Sequence, residues 1–223
     1  MSRRRSRASG GGKSIRPVSP ARRGRGKTPQ GVVPRIGLGI DRHPFEAGRR
    51  LVLGGLVITG CDGLRGHSDA DVLTHAVCDA ILGALGLPDL GTRFPAAEEA
   101  HRDKKSILFL RDIMGELGQR RYVVGNLDAV ILAEKPALAP HLPAMRRLLA
   151  EALGCDPERI SVKPKRGEGL GFVGRGEGME AHAVVLLVEG VPRDPMKDTV
   201  SVLEKSRRGG APRVRLRSPR RAR

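Results

Sequence analysis

Apolar residues in the middle of the chain recur with two periods, one typical of strands and one typical of helices. Short runs rich in Val, Ile and Leu predict strands over 34–41, 51–53, 56–58, 122–133, 160–162 and 181–188. Gly54-Gly55 separates the second run from the third. Pro and Gly residues punctuate the stretch 89–101, which predicts a loop there.

Three further segments carry apolar residues every three or four positions, which predicts amphipathic helices. The first stripe consists of Leu73, Ala76, Val77, Ala80, Ile81 and Ala84. The second consists of Ile107, Leu110, Met114 and Leu117, and the third of Leu142, Met145, Leu148, Leu149 and Ala152. Strands and helices alternate without internal repeats. We therefore predict the α+β class, with a mixed β-sheet and helices packed on one face.

The first helix is preceded by residues that favour a helix start. Ser68 and Asp69 can both act as caps, and Asp71 suits the first turn. His75 lies off the apolar stripe, one turn after Asp71 and one turn before Asp79. Either carboxylate could orient the imidazole, as a metal-bound histidine requires. The alternative is a half-exposed histidine without a role.

A second set of polar residues ends the first predicted strand. Asp41 and His43 are two positions apart, so their side chains point the same way. With His75 they could supply three ligands to one metal. Three N/O ligands that leave a fourth position for substrate are typical of a catalytic zinc site.

These residues belong to a longer series of motifs. The series consists of Arg35 to His43, Leu53-Gly54-Gly55, His67 to Asp71 with His75 and Asp79, Asp89-Leu90-Gly91, Phe94-Pro95, Gly125 to Asp128 and Leu170 to Gly178. In these motifs the chain resembles the 2-C-methyl-D-erythritol 2,4-cyclodiphosphate synthase family. The motifs occur in order from about residue 35 to 189. An Asp-x-His pair alone has little specificity, whereas HSDAD with a second histidine and LGFVGRGEG is specific.

The resemblance implies a homotrimer with active sites between neighbouring subunits. It also implies a reaction of 4-diphosphocytidyl-2-C-methyl-D-erythritol 2-phosphate. The 2-phosphate attacks the β-phosphorus of the same molecule, CMP leaves, and the cyclic diphosphate closes. A phosphate nucleophile needs no general base at neutral pH, so catalysis consists of positioning and charge neutralisation.

The resemblance also assigns roles to individual residues. Asp41, His43 and His75 would bind Zn²⁺, and Glu168 would help to hold Mg²⁺ or Mn²⁺ between the phosphates. His67 would stabilise the transition state. The remaining substrate contacts that it implies are Ser68, Asp89, Gly91, Phe94, Ala133, Lys135, Phe172 and Arg175. Ser68 and His67 would bind phosphate at the N-terminus of the helix. Phe172 could instead be an ordinary core residue. Glu177, which lies in the same motif, could simply form an ion pair with Arg175.

The chain departs from the family at three places. The family usually has three threonines and a glutamate before its LGF stretch, where this chain has Lys165-Arg166-Gly167-Glu168. Arg166 replaces the middle, catalytic threonine and could contact phosphate through two N–H groups; loss of activity is the other reading. The family's lysine after the proline of the cytosine loop is absent, and Lys135 precedes Pro136 instead. Ala96 and Ala97 replace acids after Phe-Pro.

Charge is concentrated at the two ends. The chain has a net charge of +17, while residues 1–30 carry ten basic residues and 205–223 carry nine, both without acids. The segment 31–204 is therefore close to neutral, at −2. We divide the chain into a disordered basic tail (1–31), a synthase-like domain (32–192) and a second basic tail (193–223).

The N-terminal tail has three explanations: a plastid transit peptide, a non-specific nucleic-acid contact, or the choice of translation start. We favour solvated tails without a sequence-specific role, because both ends share this composition. Three cysteines, an odd number without a CxxC pair, favour a reducing compartment, and the lack of a long apolar run indicates that the chain does not cross a membrane. We predict a bacterial cytoplasmic protein, or a plastid one if residues 1–30 are a transit peptide. Two functions compete with an active cyclase: an altered or inactive zinc- and phosphate-binding relative, and a nucleic-acid-associated protein.

Overall fold

The computed structural model describes residues 33–95, 97–98 and 104–190. Its seven strands are β1 (Arg35–Glu46), β2 (Leu51–Leu53), β3 (Leu56–Ile58), β4 (Gly63–Leu64), β5 (Tyr122–Leu132), β6 (Ile160–Lys165) and β7 (Gly178–Glu189). Its α-helices are α1 (Val72–Leu85), α2 (Leu90–Arg93), α3 (Ser106–Gln119), α4 (Leu142–Leu153) and α5 (Gly171–Gly174). The two predicted tails, 1–31 and 193–223, lie outside these ranges.

Five strands form one sheet in the order β4-β1-β7-β5-β6, and β2 and β3 form a separate antiparallel pair. Strands β5 and β6 are parallel, while β1 pairs antiparallel with β4 and β7, and β7 with β5. The predicted mixed sheet and α+β class are therefore confirmed. Helix α1 packs on β1 and β7, α3 packs on α1, and α4 packs on β6.

Glycines allow α1 to lie against β1 at short range. A Cβ atom added to Gly37 would be 1.8 Å from the Ala80 carbonyl oxygen, and one added to Gly39 would be 2.0 Å from the Ala76 oxygen. The inward-facing positions of β1 alternate with outward ones, so Asp41 and His43 follow these glycines on the same face. This close approach brings the carboxyl half of β1 next to α1.

The predicted start of α1 needs correction. The N-cap is Asp71 rather than Ser68 or Asp69, and its side chain accepts hydrogen bonds from Thr74 N at 2.9 Å and Thr74 Oγ1 at 2.6 Å. The same carboxylate accepts from Gly54 N at 2.8 Å and Gly55 N at 2.7 Å. Asp71 is fully buried, and burial raises the pKa of its carboxyl group despite these bonds. It joins the β2–β3 turn to the helix.

Other boundaries differ from the prediction. Strand β1 continues to Glu46, five residues beyond the predicted end, because its outer end pairs with the two-residue strand β4. The predicted 89–101 loop begins with the single turn α2, capped by Asp89 through Thr92 N at 2.7 Å. Strand β7 begins three residues early, at Gly178.

The face of the sheet opposite α1 is apolar and exposed in the single chain. Ile36 is 72% exposed, Leu38 59%, Ile40 41% and Val184 43%. Leu38 pairs with Val184 across β1 and β7, so these side chains form one patch. In the described part of the chain, no helix combines the length and apolarity that crossing a membrane would require.

Candidate active site

Three predicted metal ligands come together where β1 passes α1. His75 Nδ1 lies 2.9 Å from Asp41 Oδ2, His43 Nε2 lies 3.0 Å from the same oxygen, and the two ring nitrogens are 3.3 Å apart. Ligands about 2.0 to 2.1 Å from a tetrahedral zinc ion are separated by roughly 3.3 Å, so this donor set fits such an ion. Among the described residues, Asp41, His43 and His75 are the group able to hold a metal.

Hydrogen bonds and charge dominate the electrostatics of this cluster. Burial raises the pKa of Asp41, but hydrogen bonds from His43 and His75 outweigh burial and bring that pKa well below its ordinary value. Burial lowers the pKa of His75, yet the hydrogen bond to Asp41 and the nearby carboxylates raise it overall. The cluster therefore favours an ionised Asp41 carboxylate between the two histidines. A cation that binds there would displace protons from its ligands.

A cavity of about 300 Å³ adjoins the cluster. The residues that line it are Asp41, His43, His67, Ser68, His75, Asp79, Leu90, Gly91, Phe94 and Phe109. It thus unites seven predicted site residues. His67 Nε2 is buried and has no hydrogen-bond partner within the described part of the chain, which suits a contact with a ligand.

Other predicted residues lie elsewhere on the single chain. Lys135 and Arg175 line a second cavity of about 520 Å³, which shares no lining residue with the first. Phe172 lines a third of about 230 Å³, near His43. Ala133 is almost fully buried, and Asp89 caps α2 without lining a described cavity. Arg175 pairs with Glu177 at 2.7 Å, which confirms the predicted alternative for Glu177.

The loop that departs from the family is held by an ion pair. Arg166 donates to Glu134 Oε1 from Nε at 3.1 Å and from Nη2 at 2.6 Å, and Gly167 N donates to Glu134 Oε2 at 3.1 Å. The hydrogen bond from Arg166 lowers the pKa of Glu134. Glu168 is exposed, has a positive φ of 49°, and is not part of the Asp41 cluster.

Two predictions about the helix are wrong. Neither Asp71 nor Asp79 orients the His75 ring, because Asp71 caps the helix and Asp79 accepts the Leu90 N–H at 2.7 Å. His67 and Ser68 are also not at the N-terminus of α1, because the helix begins at Val72 and Asp71, as its N-cap, accepts the Thr74 N–H. His67 and Ser68 instead precede the helix in a loop that lines the cavity.

Sequence reasoning missed several contacts of the site. Ser106 Oγ lies 2.8 Å from His75 Nε2, and the Arg65 carbonyl oxygen lies 2.8 Å from His43 Nδ1. Phe109 in the cavity wall and the bond from Arg166 to Glu134 were also missed. Every residue has a backbone carbonyl, so the sequence cannot indicate which one His43 contacts. Ser106 is 31 residues from His75, so helical periodicity could not connect these two residues.

The fold and the site define a class: an α+β protein with a His₂-carboxylate cluster at the edge of a cavity. A family model described as the YgbB family matches residues 34–188, and the chain belongs to that family. This result confirms the family predicted from the motifs.

Named relatives agree with this assignment. The chain is 53% identical over 153 residues to 2-C-methyl-D-erythritol 2,4-cyclodiphosphate synthase of Syntrophotalea carbinolica, covering 69% of this chain and 93% of that protein. It is 48% identical over 153 residues to the synthase of Syntrophomonas wolfei, covering 69% and 98%. A solved 2C-methyl-D-erythritol-2,4-cyclodiphosphate synthase in its CDP-bound form is 37% identical, with a TM-score of 0.64, covering 69% of this chain and 99% of that one.

Proposed function

We propose that this protein converts 4-diphosphocytidyl-2-C-methyl-D-erythritol 2-phosphate into 2-C-methyl-D-erythritol 2,4-cyclodiphosphate and CMP, a step of isoprenoid precursor synthesis. The observation that carries the proposal is the Asp41–His43–His75 cluster at a cavity that His67 and Ser68 also line. Relatives at 48 to 53% identity bear the name of this synthase, so the predicted reaction and lyase class are confirmed. The bacterial origin of these relatives supports a cytoplasmic location.

Asp41, His43 and His75 would hold Zn²⁺, which supplies Lewis-acid polarisation of a phosphate when bound. His67 lines the same cavity, and its buried Nε2 has no hydrogen-bond partner in the described part of the chain; this ring would donate a hydrogen bond to phosphate. Phe94 and Phe109 exclude water from the cavity wall, and Gly91 lets the backbone approach the methylerythritol part. Together these residues position the 2-phosphate for attack and stabilise the charge that develops.

Glu168 would hold Mg²⁺ or Mn²⁺, for which an exposed carboxylate on a glycine-rich loop is a suitable oxygen ligand. Ala133 and Lys135 would contact the cytidine diphosphate part. The cavity that Lys135 lines and the cavity beside His75 share no lining residue. This separation supports a site completed by a neighbouring copy of the chain.

A homotrimer would provide that neighbour. The exposed patch of Ile36, Leu38, Ile40 and Val184 is an apolar surface that association would bury. Burying such side chains stabilises an assembly by about 25 cal/mol per Å² of apolar surface removed from water. We assign this patch to contacts between copies, with Phe172 and Arg175 near the place where they meet.

The proposed reaction is tested with purified full-length protein, Zn²⁺, Mg²⁺ and the substrate. We expect CMP and the cyclic diphosphate to appear in equal amounts. A substrate analogue without the 2-phosphate lacks the nucleophile and should release no CMP. Folded, metal-loaded protein that leaves the true substrate intact would contradict the proposal and favour the inactive phosphate-binding relative.

Arg166 is the second point to test, because it stands where the family has a catalytic threonine. If its guanidinium binds the developing charge, Arg166→Ala should lower kcat about 10²-fold, the cost of one preorganised donor. KM should change less, because the contact strengthens in the transition state. Arg166→Lys should restore only part of the rate, since an ammonium cannot form a two-point contact.

The ion pair with Glu134 supplies the control. Glu134→Gln removes the charge that binds Arg166 but keeps an oxygen for Gly167 N. It should leave Arg166 available and therefore reduce kcat less than Arg166→Ala does. An unchanged kcat in Arg166→Ala would assign Arg166 to the ion pair alone and remove it from the catalytic residues.

A further inference from the structure

Ser106 is fully buried at the first position of α3, between a carboxylate and a metal ligand. Its Oγ lies 2.8 Å from His75 Nε2 and also makes a short hydrogen bond to Asp69 Oδ1. Its backbone N–H donates to both carboxylate oxygens of Asp69, at 3.1 Å and 3.1 Å. Asp69 therefore caps α3 from a distant loop, and Lys105, the N-cap residue, provides no side-chain bond.

The donors and acceptors of this chain of groups allow one arrangement. An ionised carboxylate only accepts hydrogen bonds, so the single O–H of Ser106 donates to Asp69. The Ser106 oxygen then accepts from His75, which requires a proton on Nε2. Ser68 Oγ, 3.2 Å from the same nitrogen, accepts an N–H from Ala70. Nδ1 is therefore the His75 nitrogen that is left to exchange its proton for a metal.

The other histidine follows the same rule with a different partner. His43 Nδ1 lies 2.8 Å from the Arg65 carbonyl oxygen, an acceptor, so its proton stays on Nδ1 and Nε2 faces the cluster. Both rings thus present one defined nitrogen to Asp41. For His43 a backbone carbonyl achieves this, whereas for His75 two side chains are required.

We propose that Ser106 and Asp69 are positioning residues of the metal site: Asp69 orients the Ser106 hydroxyl, which holds His75 with Nδ1 toward Asp41 and His43. The proposal rests on the metal site put forward above. It also couples that site to α3, because the same Asp69 carboxylate binds the first N–H of this helix. A shift of α3 would turn the His75 ring.

The test measures zinc affinity by competition with a chelator, using the full-length protein. Ser106→Ala removes the acceptor, and it should weaken zinc binding about 10- to 100-fold, as is typical when the partner of a metal-bound histidine is lost. Asp69→Asn keeps the shape of Asp69 but can donate to the serine oxygen, so it should weaken binding about tenfold. Ser161→Ala, which removes a hydroxyl that bonds to Asp128, should bind zinc as the wild type does.

A double variant distinguishes positioning from a general loss of structure. If Asp69 acts through Ser106, adding Asp69→Asn to Ser106→Ala should weaken zinc binding no further, whereas losses that multiply would overturn the serial arrangement. Thermal unfolding of the metal-free variants records the separate effect on α3. If Ser106→Ala does not fold, wild-type zinc affinity in Asp69→Asn would refute the proposal and a tenfold loss would support it.

A spectroscopic readout identifies the nitrogen itself. In cadmium-substituted protein with isotope-labelled histidine, NMR should show metal coupling to His75 Nδ1 and a proton on Nε2. Coupling to Nε2 would refute the proposal. Wild-type protein that binds no metal would refute the metal site as a whole, whereas normal zinc affinity in Ser106→Ala would refute only the role of Ser106 and Asp69.

Discussion

The contact between Gly39 and α1 leads to a prediction that joins the fold to the site. In Gly39→Ala the new Cβ would lie 2.0 Å from the Ala76 carbonyl oxygen and 2.6 Å from Ala80 N. Ordinary contact begins at 3.4 Å, so the strand and the helix must separate by about 1.4 Å. Both atoms belong to the helix backbone, which cannot move aside by changing a rotamer.

Such a shift affects stability and metal binding together. Overpacked cores lose about 1 to 3 kcal/mol, and we expect about 3 kcal/mol or more here because the obstacle is backbone. Gly39 precedes Asp41 on β1, and Ala76 follows His75 on α1. A separation of about 1.4 Å exceeds the roughly 0.2 Å within which metal–ligand distances are held, so zinc affinity should fall by about 100-fold or more.

Urea unfolding of metal-free protein at a fixed concentration gives the free energy of unfolding, and chelator competition gives the zinc affinity. Gly115→Ala is the matched control, because Gly115 is an exposed residue of α3 and an added Cβ meets nothing within 4 Å. It should gain about 0.5 to 1 kcal/mol from helix propensity. If Gly39→Ala matched the wild type in both measurements, the close approach of β1 and α1 would be refuted.

Three further predictions concern the core, the metal and the tails. Asp71→Asn should cost about 2 to 4 kcal/mol in urea unfolding, because one amide oxygen cannot replace a carboxylate that accepts four hydrogen bonds, three of them buried. An unchanged midpoint would contradict this. Zinc affinity should rise from pH 6 to pH 8, because zinc must displace a proton from the His75 ring. Burial lowers the pKa of His75, but its hydrogen bond to Asp41 raises that pKa overall. A flat profile in chelator competition would argue against His75 as a ligand. Deleting 1–30 and 205–223 should abolish DNA retention at low salt and leave CMP release unchanged, whereas salt-insensitive binding by the remaining core would revive a nucleic-acid role.

Local chemistry made part of this protein predictable from sequence. The apolar stripe of α1 and the runs of Val, Ile and Leu in β5 and β7 specify their elements because periodicity is a property of neighbouring residues. Asp41 and His43 could be assigned to one side of a strand for the same reason. The motif around His67 and His75 identified the family without coordinates.

Tertiary structure decided what lies between distant segments. Asp41 and His75 are 34 residues apart in sequence, and the packing of α1 on β1 brings them together. This packing depends on Gly37 and Gly39 having no side chain. The prediction for the His75 ring failed because it considered only carboxylates on the same helix, whereas the ring turns toward α3. A hydrogen bond there depends on where Ser106 lies in space, and helical periodicity carries no information about that position.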